Sequence, residues 1–124
     1  IARALTQEPK LLLLDEPTTH LDISHQVAIL DIIRKLNSEF GLTVIMVIHD
    51  LNLAGEYCRK LALLNKGGIY KIGSPKQVLN HLIIKEVYKT MVVIRENPVS
   101  LKPYCFLVSQ EEKEKRRSLW KGKG

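Results

Sequence analysis

Two adjacent carboxylates, Asp15 and Glu16, close a run of four leucines, Leu11–Leu14, and Pro17 follows them. An aliphatic run of that length reads as a buried strand with apolar cover on both faces. In an open α/β sheet ligands sit outside the carboxyl ends of the strands, where Asp15 and Glu16 would emerge. Phosphoryl transfer from a nucleotide needs an acid that holds Mg²⁺ and a residue that acts on the attacking water. Asp15, as the last strand residue, is the candidate for the metal, through a water because Mg²⁺ keeps much of its hydration. Glu16 faces the other way and is the candidate general base, a role typically worth ~10²–10⁴ in rate, or roughly 3–5 kcal/mol. A plain polar turn would also hold Asp-Glu-Pro. The continuation Thr18-Thr19-His20-Leu21-Asp22 argues for chemistry instead.

A second apolar run, Thr43-Val44-Ile45-Met46-Val47-Ile48, ends in His49-Asp50. If both runs are parallel strands, His49 shares a sheet edge with Asp15 and Glu16. An imidazole there can hydrogen-bond a terminal phosphate and orient the attacking water. His20 and His25 flank Asp22, but their spacing fits no zinc pattern and no cysteine is near, so loop and helix-start roles are expected. Asp22 and Ser24 can cap the helix that follows.

The elements that must place these groups are legible along the chain. Gln7-Glu8-Pro9-Lys10 is a turn into the strand Leu11–Asp15. Val27, Leu30, Ile33, Leu36 and Phe40 fall at helical spacing, and Gly41 is the expected stop. Leu51 to Cys58 reads as a short helix. Leu61–Leu64 and Ile69–Ile72 flank Asn65-Lys66-Gly67-Gly68, a hairpin signal. Gly73-Ser74-Pro75 opens a short helix to about Asn80, and Ile83–Tyr88 suggests another. Met91–Glu96 and Tyr104–Val108 are expected to pair as strands across a loop holding Pro98 and Pro103. This order indicates part of a parallel α/β sheet with a small antiparallel appendage. Two parallel strands cannot cover both their faces with what the remaining elements supply, and the exposed sheet edge left behind is expected to be sticky.

With 124 residues, 45% of them apolar, one modest domain is the natural expectation. No apolar run approaches the ~20 residues that span a bilayer, and the first residues are no signal peptide. Cys58 and Cys105 have neither disulfide-framework nor metal-site spacing, as in a reducing compartment. Of the net charge of +6, half lies in residues 111–124, which hold six basic and three acidic side chains. Residues 109–124 therefore read as a basic, disordered, solvated tail.

Taken together the motifs resemble the C-terminal half of an ABC transporter ATP-binding subunit. Leu11–Asp15 with Glu16 resembles the Walker B strand and its catalytic glutamate. Thr19-His20-Leu21-Asp22 resembles the D-loop, which in the family touches the opposite subunit, and His49 resembles the switch histidine. Ile1-Ala2-Arg3-Ala4-Leu5 resembles the end of the helix after the signature loop. Leu21–Gln26, His49–Ala54, Gly73–Leu79 and Glu86-Val87-Tyr88 are similar to segments of iron-siderophore, haem or cobalamin importers. The resemblance covers residues 1–108 and implies an ABC-type P-loop NTPase domain in part, with ATP and Mg²⁺ as ligands. It implies Glu16 and His49 as catalytic and Asp15 and Asp22 as cofactor-binding. It further implies a second ATP-binding subunit, transmembrane permease subunits and, indirectly, a substrate-binding protein, with location on the cytoplasmic face of the membrane and no nucleic-acid partner.

The family's glycine-rich phosphate loop, glutamine loop and Leu-Ser-Gly-Gly signature are not among these 124 residues. A phosphate cradle needs backbone N–H groups and a helix N-terminus aimed at the nucleotide. The chain is thus expected to be a C-terminal piece that neither binds ATP tightly nor turns it over alone. A soluble translation- or repair-type ABC protein is a second reading, and an inactive remnant a third. Asp50-Leu51-Asn52-Leu53-Ala54 after His49, in place of an aromatic-bearing Asp-Arg segment, favours the importer.

Overall fold

A computed structural model describes the backbone of residues 10–123 and the side chains of residues 10–117. The expected helix end at Ile1–Leu5 and most of the turn at residues 7–10 lie outside the described residues. Two compact units meet in sequence between Asp50 and Leu51.

In the first unit, β1 (Leu11–Asp15) pairs in parallel with β2 (Thr43–Val47), Leu11 opposite Thr43 and Asp15 opposite Val47. Between them runs α1 (Ile23–Phe40), the crossover that a parallel pair requires. Asp22 is its N-cap, and Gly41 ends it at φ 66, donating its N–H to Asn37 O. An L side chain there would meet the left-handed penalty, and glycine meets none. Leu30, Ile33 and Leu36 are buried, whereas Val27 and Phe40 of the same expected stripe are 41% and 73% exposed. Leu12, Leu36 and Leu42 form the core, with Leu14 and Val44 against it.

Among the described residues one face of the pair lacks cover, as expected of two parallel strands that the remaining elements cannot enclose. Leu11, Leu13, Ile45 and Val47 are 48%, 68%, 55% and 47% exposed. A four-leucine run signals burial without saying which elements supply it. Among the described residues α1 covers one face of the pair.

The second unit starts with α2 (Leu51–Tyr57) and the hairpin of β3 (Leu61–Asn65) and β4 (Gly68–Gly73). Lys66 and Gly67 both have positive φ, 50° and 78°. That pair of values suits the right-handed strand twist in a two-residue turn. Next come α3 (Pro75–Val78) and α4 (His81–Tyr88). Ser74 caps α3 in a reciprocal box with Gln77, Pro75 sits in its first turn, and Asn80 caps α4. The strands β5 (Val92–Glu96) and β6 (Pro103–Leu107) pair antiparallel, Ile94 opposite Cys105. Leu63, Val78, Leu79, Ile84, Val92 and Cys105 form the core. Each fully buried aliphatic chain among them contributes about 1.5–3 kcal/mol. Burial also pushes the Cys105 thiol above its ordinary pKa.

α2 lies on β6. At buried Gly55 a Cβ would fall 2.7 Å from Leu79 Cδ1 and 3.3 Å from the Pro103 carbonyl, so a side chain has no room. One turn earlier, the Asn52 amide donates to Cys105 O (3.1 Å) and accepts from Cys105 N (2.7 Å).

The disordered-tail expectation is corrected, because Gln110–Lys123 form a helix, α5. Its local sequence explains this. Ser109 Oγ accepts from Glu112 N, Glu111 and Glu112 complement the helix N-terminus, and Lys115 pairs with both at 3.3 and 3.5 Å.

Candidate active site

β1 delivers Asp15 and Glu16 to the carboxyl end of the parallel pair, and β2 delivers His49 to the same end two residues after Val47. The ladder runs one step past Asp15, since Glu16 N donates to Val47 O at 2.9 Å. Glu16 then turns the chain with φ 48, in the left-handed region. For an L residue that conformation costs roughly 1–2 kcal/mol. Pro17 ends strand pairing, and the turn closes with Thr19 N donating to Glu16 O and Leu21 N to Thr18 O, both at 3.2 Å. Thr18 is buried inside this turn, and His20 is a second left-handed residue, φ 68.

Both oxygens of the Glu16 carboxylate are engaged. His49 Nε2 lies against Oε1, and Thr19 Oγ1 donates to Oε2 at 3.1 Å. The imidazole is 78% exposed and the carboxylate 33%, so the pair sits at a surface that a ligand can reach. Thr19 is the residue that motif reading passed over as a partner. The signal was its place three residues after Glu16 in a turn, within reach of that carboxylate.

Asp15 is exposed at the strand end, and no hydrogen bond or ion pair engages its side chain among the described residues. No cluster of three or more His, Cys, Asp or Glu that could hold a metal exists among the described residues. A single free carboxylate suits Mg²⁺, which takes its remaining ligands from water and phosphate oxygens.

Asp22 stands apart from the Glu16–His49 contact. Its carboxylate accepts from His25 N at 2.9 Å, from His25 Nδ1 at 2.7 Å and from Ser24 Oγ at 2.9 Å. The His25 backbone N–H, then the His25 ring and the Ser24 hydroxyl, hold its pKa below the ordinary 3.8. His25 is thus a partner of the cap, as expected of a helix-start residue.

No family model matches the chain. Over 115 residues it is 43% identical to the iron(3+)-hydroxamate import ATP-binding protein FhuC of Bacillus subtilis (strain 168), covering 93% of this chain and 43% of the relative. The chain is homologous to ABC transporter ATP-binding subunits. Over 114 residues it is 41% identical to the hemin import ATP-binding protein HmuV of Hahella chejuensis (strain KCTC 2396), covering 86% of this chain and 44% of that one. An inward-facing structure described as a metal-chelate type ABC transporter superposes with a TM-score of 0.80 at 26% identity, over 89% of this chain and 45% of that one. The fold is accordingly part of an ABC ATPase nucleotide-binding domain, α/β with small sheets. The chain spans less than half the length of these relatives.

Proposed function

We propose that residues 1–108 are the C-terminal half, with the Walker B strand and switch histidine, of an ATP-hydrolysing subunit that drives an importer of iron chelates, of siderophore, haem or cobalamin type. The observation that carries this reading is the Glu16 carboxylate held by His49 and Thr19 at the carboxyl end of two parallel strands. In a complete subunit Glu16 accepts a proton from the water attacking the terminal phosphate. His49, now against Glu16, orients that water and the phosphate. Asp15 would hold Mg²⁺ through a water, and the ion would offset charge on the phosphates. Asp22 fixes the start of α1, and its loop resembles the D-loop, which in the family touches the opposite subunit. Permease subunits complete the assembly at the cytoplasmic face of the membrane, a substrate-binding protein acting through them. No helix among the described residues is long and apolar enough to cross a membrane.

The test is Glu16→Gln in a subunit that also carries the phosphate, glutamine and signature loops. ATP binding is expected to persist while steady-state turnover drops by ~10²–10⁴. Near-normal turnover would remove Glu16 from its role. These 124 residues alone, without those loops, are expected to show no ATP turnover. Sustained phosphate release from the purified chain would contradict that part of the reading.

A further inference from the structure

Basic residues of the second unit gather in one concavity. A cleft of about 1210 Å³ opens between α4, the turn after it and α5. Lys85, Lys89, Lys113, Arg116 and Arg117 line it, against the two carboxylates Glu86 and Glu114. Both carboxylates have partners already: Glu86 pairs with Lys89 at 3.7 Å, and Glu114 accepts from Gln110 at 3.5 Å. Lys113 Nζ donates to Thr90 Oγ1, tying α5 to the turn that follows α4. Among the described residues no carboxylate pairs with Lys85, Arg116 or Arg117.

Charge on α5 is uneven between its faces, with three cations and one carboxylate, Glu114, lining the cleft. Lys113, Arg116 and Arg117 stand at i, i+3 and i+4 and so share the cleft side. The acidic Glu111 and Glu112 are turned to Lys115, and none of these three lines the cleft. In a concave site, cations of one sign focus their field and raise the local concentration of a multivalent anion. Two guanidinium groups add planar donor forks that match phosphate oxygens in pairs.

We propose that the α4–α5 cleft is a binding site for a small oligophosphate anion, one with at least two linked phosphates. The concavity favours a small free ligand over a flat lipid surface, although phospholipid headgroups share the chemistry. The site lies wholly in the second unit and does not depend on the role assigned to Glu16.

The test is calorimetric titration of the 124-residue chain with inorganic tripolyphosphate. Saturable binding is expected, and it should vanish near 1 M salt, where the screening length shrinks to about 3 Å. Arg116→Glu with Arg117→Glu should weaken it at least about tenfold, each reversal turning an attraction into a repulsion. The milder Arg116→Gln with Arg117→Gln should give an intermediate loss, and circular dichroism checks that α5 persists in both. Lys35→Glu with Lys60→Glu makes the same change in net charge away from the cleft and should leave affinity within about twofold. Equal losses in the two charge-reversal pairs would mean attraction to net charge only and would overturn the site. Absence of saturable binding would overturn it too. Phosphatidylglycerol vesicles form the second arm. Vesicle binding that tripolyphosphate does not displace would replace the small ligand with a lipid surface.

Weak ATP binding by the chain belongs to this cleft if the arginine variants abolish it and Glu16→Gln does not.

Discussion

Glu16 combines two properties that a turn residue seldom shows together: a left-handed backbone, and a carboxylate with a partner on each oxygen. The backbone conformation lets the chain leave the sheet while the side chain stays at its edge, beside His49. Because His49 is largely exposed, His49→Ala in a complete subunit should depress ATP turnover while changing stability by less than about 0.5 kcal/mol. Comparing thermal denaturation with turnover separates the two effects. A large fall in stability would make His49 structural. Asp22 supplies a different check at the same scale. Its folded-state pKa is depressed, so its stabilising contribution is complete above 3.8 and is lost as pH falls through the lower folded value. The His25 amide resonance should follow that acid titration in the wild type and cease to do so in Asp22→Asn. Titration at or above 3.8 would contradict the hydrogen bonds that hold the carboxylate.

At the scale of elements, Asn52 fastens α2 to β6. Asn52→Ala strips both hydrogen bonds from the buried Cys105 backbone and should cost about 1–3 kcal/mol, measurable by urea denaturation. Little change would mean that water substitutes for the amide. Ile84→Ala, in the α4 core position, should cost about 2–5 kcal/mol by the same measurement. Much of this layout was legible in the sequence, because local chemistry specifies it. Gly41 stops α1, Lys66-Gly67 sets a two-residue turn, Ser74-Pro75 starts α3, and the six strands among the described residues occur close to where hydrophobic patterning puts them. The meeting of His49 with Glu16 was legible too, since parallel strands bring their carboxyl ends to one edge. Thr19 was missed as a partner of Glu16 because its role depends on the left-handed turn, and non-glycine residues give little sequence signal for that. The Asn52–Cys105 link joins residues 53 positions apart, beyond any local pattern. α5 was missed because its composition resembles a solvated tail, while its helix depends on a serine cap and on pairs three and four residues apart.

For the whole molecule, the question is which surfaces invite other chains. The bare face of β1 and β2 carries Leu11, Leu13, Ile45 and Val47, and it should make the 124-residue chain associate as concentration rises. Leu13→Lys, at a position 68% exposed, should reduce that association in light scattering and cost less than about 1 kcal/mol of stability. Unchanged association would move the adhesive surface elsewhere. The β5–β6 pair of the second unit is different. In an antiparallel pair a residue's N–H and C=O point to the same side, and those of Cys105 both go to Asn52, so they face away from β5. Pro103, two residues earlier on that same flank, has no N–H to offer. An incoming strand therefore finds one position already filled by an amide and the next without a donor. Templated growth of a continuous ribbon along that flank is blocked by a side chain posing as the neighbouring strand, which makes Asn52 a guard against amyloid-like stacking as well as a fastener.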